Sequence, residues 1–184
     1  MKRHVLTAAT GLTLLSVFAS AACYATSKAD LNASADQAIS HFYALSPMNK
    51  QLADKAAGIL IFSQVTKGGA GLAGEFGEGV LQIQGKTINY YSVGSASVGL
   101  TLGLAEHSEI IMFMTPAALH KFTHSGNWSV GADTAVAMVH EGNGGQYDSM
   151  TIDKPILGFV FGEKGLIGDL SLEGSKITRI KTTG

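Results

Sequence analysis

With 13 basic against 14 acidic side chains in 184 residues, the chain lacks the cationic surplus that a nucleic-acid-binding domain carries. A single cysteine rules out an internal disulfide framework. Only one apolar run approaches the length of a membrane span, and it lies at the very start, so the remainder is expected to form one domain around its own core.

That start reads Met1-Lys2-Arg3-His4, then an apolar stretch from Val5 to Phe18, then small residues through Ala25. A basic, then apolar, then small-residue order predicts a secretory signal peptide over residues 1–22, with cleavage after Ala21, Ala22 or Ala25. Removal of Lys2 and Arg3 with it leaves 11 basic against 14 acidic residues, a net charge of −3. Cys23 follows the apolar run. It is either the lipid-modified first residue of a lipoprotein or a residue discarded or left free, and Ser20 stands three positions before it, where lipoprotein sites usually carry Leu, Val or Ile.

From Lys28 to Leu45, Leu31, Ala35, Ala38, Ile39, Phe42 and Leu45 fall on a stripe about 120° wide, with Asp36, Gln37, Ser40 and His41 opposite, which predicts an amphipathic helix. Pro47 ends it. A second short helix is predicted over Asn49–Ala57, closed by Gly58. Short β-branched and apolar runs separated by glycine then predict strands at 58–65, 79–86, 88–93, 97–104 and 109–114. Thr115 as cap and Pro116 at the first position open a helix to Thr123. Further strands are predicted at 128–131, 135–140, 149–153, 157–162, 168–172 and 176–181, with a turn at 141–147. Many short strands without βαβ alternation indicate an α+β fold, its N-terminal helices packed on a strongly curved, mainly antiparallel, glycine-rich, barrel-like sheet.

Several patterns that can carry chemistry lack the context they need. Gly69-Ala70-Gly71-Leu72-Ala73-Gly74 spells a dinucleotide-binding turn, but Glu75-Phe76-Gly77-Glu78-Gly79 follows in place of the helix whose N-terminus would hold a pyrophosphate. Gly69, Gly71, Gly74, Gly77 and Gly79 are therefore read as a structural glycine loop and bulged strand, and no cofactor is expected. His120 and His124 share a helix face without a third ligand at convincing spacing, so no metal is expected there. Ser97 lacks the glycine two residues earlier that a nucleophile elbow requires. The carboxylates Glu75, Glu78, Asp148, Asp153, Glu163 and Asp169 are scattered among predicted loops, and nothing in their spacing builds an acid/base pair, so no enzyme activity is expected.

The runs Ala53 to Phe62, Lys67-Gly68-Gly69-Ala70-Gly71 and Gly74 to Leu81 resemble the SYLF domain, a family of lipid-binding modules. The resemblance continues through Tyr90-Tyr91, Gly94 and Gly99, through Ile111 to Pro116 with Ala118-Leu119, and from Glu163 to Gly174, so residues 28–184 are taken as one SYLF-like domain. It implies association with membrane phospholipid. Eukaryotic members bind phosphoinositides through an N-terminal amphipathic helix and basic residues, and some bind actin. An exported chain would meet neither, which leaves a module of the bacterial envelope, periplasmic or at the outer membrane. The lipid-contact candidates are Leu31, Ile39, Phe42 and Leu45 for insertion and Lys176, Arg179 and Lys181 for headgroups. The alternatives are an envelope scaffold whose sheet docks another protein, with lipid incidental, and a hydrolase built on the scattered carboxylates. The helical stripe has its own alternative, packing on the domain's core, which leaves any lipid contact to the basic cluster.

Overall fold

The architecture is that of a computed structural model, which describes residues 26–131, 136–140, 153–165, 172 and 174–182. The predicted signal peptide, Cys23, Asp148, Asp169, the turn at 141–147 and nearly all of the strands expected at 149–153 and 168–172 lie outside these residues.

Helix α1 spans Lys28–Leu45, with the Ser27 hydroxyl accepting from the Asp30 amide at its N-terminus. Ser46 ends it in extended backbone and serves in turn as the N-cap of α2, Pro47–Lys55. Pro47 thus opens the second helix as well as stopping the first, two residues earlier than the stripe suggested. The buried Asn49 amide donates to the Phe42 carbonyl at 2.8 Å, satisfying one of the orphan acceptors at the end of α1.

Two very long strands follow, β1 over Gly58–Ile83 and β2 over Lys86–Phe113, joined by a two-residue turn at Gln84 and Gly85 with φ of 51° and 72°. Positive φ at both positions matches the right-handed twist of the flanking strands. The glycine-rich segment read as a loop and bulged strand is strand, without the loop: Gly69 lies opposite Gly103, Gly74 opposite Ala96, Gly77 opposite Val93 and Gly79 opposite Tyr91. Gly71 falls at the register shift between Ala70 and Leu72. Straight, a strand of 26 residues would run about 85 Å, far beyond the width of a small domain. The hairpin instead bends, and β1 crosses over its own beginning. A Cβ on Gly77 would lie 2.8 Å from Val65 Cγ2 and 2.9 Å from the Gln64 carbonyl oxygen, and one on Gly79 would press into the Ile61 carbonyl and the Phe62 ring. Close backbone approach explains these two glycines.

Helix α3 covers Pro116–His124, capped by Thr115 as its sequence indicates. The remaining described strands are β3 (Asn127–Ser129), β4 (Ala137–His140), β5 (Ile156–Gly165) and β6 (Lys176–Ile180). Their order is β3-β6-β2-β5-β4, with β1 on β2; β4 and β5 run parallel and all other pairs antiparallel. Strand β2 is the spine: Tyr90–Gly94 pair with β6, while Ala105–Phe113 pair with β5. The sheet curls into a half-barrel with a core on each face. Inside it, Phe113, Phe122 and Trp128 pack ring on ring at 4.7–6.3 Å among Leu60, Val93 and Ile111. Outside it, α1 and α2 press Leu31, Ile39, Phe42 and Leu52 onto Ile61, Ile110, Phe159 and Phe161. No described helix is long and apolar enough to cross a membrane.

Candidate functional site

The helical stripe is core. Leu31, Ile39 and Phe42 are buried against the sheet, and only Leu45, at the end of α1, is exposed. Three of the four insertion candidates are therefore corrected: the curved sheet offers α1 an apolar seat that excludes both water and lipid. Polar contacts along the flanks lock the same orientation. Ser63 donates to Ser34 at 2.9 Å, Gln82 to Asp36 at 3.1 Å, and Asn32 to the Tyr90 hydroxyl at 3.3 Å.

The basic candidates remain at the surface, and the fold divides them. Lys176, Arg179 and Lys181 are all exposed, but Lys176 pairs with Gly94 at the far end of β6. Arg179 and Lys181 are joined by Lys28, from the first turn of α1, around an open cavity of about 620 Å³ that Ile88, Asn89, Tyr90, Ile180 and Thr182 complete. Among the described residues, no carboxylate lines it. The Arg179 guanidinium donates to the Asn89 side-chain oxygen, which holds it over the β2 edge, and half-exposed Ile88 supplies an apolar rim. Lys28, the one cation of an otherwise cation-poor helix start, is brought to β6 by the packing of α1.

A second constellation lies inside the half-barrel. His107 and Glu109 are two apart on β2 and so share its inner face, with His107 Nε2 2.8 Å from Glu109 Oε1 and both side chains 1% exposed. Glu75, opposite Ser95 on the crossing limb of β1, completes the group, and the donor atoms of all three lie within 4.8 Å of one another. Glu75 Oε1, His107 Nδ1 and Glu109 Oε2 are buried without a hydrogen-bond partner. Burial pushes the Glu109 carboxyl up to about 8. Glu75 rises to about 7 through burial and the neighbouring Glu109 charge, and burial draws His107 down despite the attraction of Glu75. Scattered carboxylates thus do meet, though through Glu109, whose strand position hid it. The clue in sequence is His107-x-Glu109 continuing into Ile111 and Phe113: a period of two that places both polar groups on the side where the apolar residues go. His120 and His124, by contrast, stack at 3.9 Å on the surface, and His124 Nδ1 donates to the His120 carbonyl at 2.9 Å.

Residues 94–183, from the inner bend of β2 through β6, match the family model described as Ysc84: Las17-binding protein actin regulator. The match agrees with the resemblance to the SYLF family read from the sequence. The Ysc84 match takes in His107, Glu109, Arg179 and Lys181, while Lys28 and Glu75 come from the part of the chain before it. No curated protein matches the chain.

Proposed function

We propose that the protein is a non-enzymatic, exported module that binds anionic phospholipid at a cell envelope through the groove of Lys28, Arg179 and Lys181. The observation that carries this reading is three cations from two distant parts of the chain around one cavity, with an apolar rim at Ile88 and no carboxylate among the described lining residues. Each such cation contributes about 1 kcal/mol near an anionic surface. With Leu31, Ile39 and Phe42 committed to the core, the exposed large apolar side chains among the described residues are Leu45, Phe76, Ile88 and Leu104, of which Ile88 alone lines the groove, and binding there should be electrostatic.

In liposome flotation, the protein is expected to rise with vesicles containing phosphatidylglycerol at low salt, and to be released several-fold at 0.5 M salt, where screening shortens the reach of each charge to a few ångströms. Arg179→Gln with Lys181→Gln should abolish flotation and leave the melting temperature unchanged, since both side chains are exposed. Equal binding to neutral phosphatidylcholine, or binding indifferent to salt, would contradict the reading. Export is tested separately by intact mass of protein from envelope fractions. A chain lacking residues 1–22 is expected, and a diacylglycerol-sized increment on a chain beginning at Cys23 would mark a lipoprotein. The family description names a Las17-binding protein; in an exported chain any protein partner would be a component of the envelope instead.

A further inference from the structure

We propose that Glu75, His107 and Glu109 form a divalent transition-metal site that clamps the two limbs of the bent hairpin. Glu75 comes from the returning limb of β1, and His107 and Glu109 come from the stretch of β2 that pairs with the beginning of β1 and with β5. One ion there would join segments of chain that otherwise meet through apolar packing and the close backbone crossing at Gly77 and Gly79.

Three features support a cation over a purely apolar or hydrogen-bonded role. First, the group is buried in full, and three of its polar atoms, one on each residue, have no hydrogen-bond partner. Buried polar atoms left unpaired are costly and uncommon. Second, the donors lie within 4.8 Å of one another. An ion held at about 2.0–2.2 Å from each donor in tetrahedral geometry sets the donors roughly 3.3–3.6 Å apart, a closure of about 1.2–1.5 Å for the widest pair that side-chain rotations would have to supply. Third, His107 borders a polar cleft of about 210 Å³ that Ser108, Gly162 and Lys164 also line.

The donor set narrows the choice of ion. One imidazole with two carboxylates suits the borderline first-row ions; calcium prefers six to eight oxygens, and copper(I) prefers sulfur. Zinc, content with four ligands, would keep its fourth position for water or a small anion.

The test uses purified protein stripped with a chelator and titrated with zinc chloride by calorimetry. Uptake of one ion per chain and a raised melting temperature are expected. Loss of a direct ligand should exceed the tenfold lower limit seen for second-sphere changes, so Glu75→Gln, His107→Gln and Glu109→Gln should each weaken uptake more than tenfold. Glu109→Gln is nearly isosteric and uncharged, and an unchanged circular dichroism spectrum shows that its loss of binding is read on folded protein. His120→Gln with His124→Gln, directed at the surface pair, should leave uptake intact. The proposal is overturned if the stripped protein takes up no zinc, if uptake follows the His120 and His124 pair, or if Glu109→Gln binds zinc like the parent.

Discussion

Replacing Phe42 with aspartate is expected to unfold the domain outright, with no cooperative transition left in a thermal melt followed by circular dichroism. Phe42 is almost wholly buried, its ring 4.8 Å from that of Phe159 and 5.3 Å from that of Phe161, where α1 lies on the outer face of β5. Removing a buried phenylalanine ring alone costs about 3–5 kcal/mol. A carboxylate adds the penalty of an unpaired buried charge, so the total exceeds about 5 kcal/mol, comparable with the entire stability of many domains. The same substitution separates the two roles open to the helical stripe. A Phe42→Asp protein that melted near the parent and lost only vesicle binding would return the stripe to the membrane and overturn the packing described above.

At the crossing of the hairpin, Gly79→Val should cost about 3 kcal/mol or more, read as a fall in the denaturation midpoint in urea. The added carbons meet the Ile61 carbonyl and the Phe62 ring, and the first of these is backbone of the opposing limb, which cannot rotate aside. Overpacking of this kind ordinarily costs 1–3 kcal/mol, and a rigid obstacle places it at the upper end or beyond. Gly74 is the internal control. It lies in the same glycine-rich run but has nothing within 4 Å of its missing Cβ, so Gly74→Ala should shift stability by no more than about 0.5 kcal/mol. Equal effects at the two positions would mean that the limbs do not cross as closely as described.

The helices were legible because their signals are local: Ser27 and Thr115 as caps, Pro47 and Pro116 at first positions, and an apolar stripe with the right period. The class of sheet was legible too, from many short apolar runs and few helices. What was not legible was continuity. Glycines between apolar runs read as breaks, so two bent strands of 26 and 28 residues were expected as five short ones. A glycine placed for a crossing and a glycine placed for a loop look alike until the crossing partner is known, and Ile61 lies 18 positions from Gly79. For the same reason the stripe on α1 could be assigned to lipid or to core with equal physics; the curvature of the sheet decided it. Lys28 and Glu75 joined their clusters only through tertiary packing, whereas Arg179 and Lys181 stood close together in sequence from the start.

The placement of β6 has a consequence for the order in which the fold can close. Its strand lies between β2 and β3, and among the described strands β3 pairs with β6 alone. Thr178 is 51 residues beyond its partner Asn127, so as the chain emerges during synthesis β3 waits through all of β4 and β5 for its neighbour. The β1–β2 hairpin, closed by a two-residue turn, can zip as soon as it is made, whereas this last ladder needs the ends of a long loop to meet. Trp128, which pairs with Ile177 and packs beneath the rings of Phe113 and Phe122, is thus among the final large side chains to leave water. Its fluorescence reports on completion of the half-barrel and is silent on its beginning.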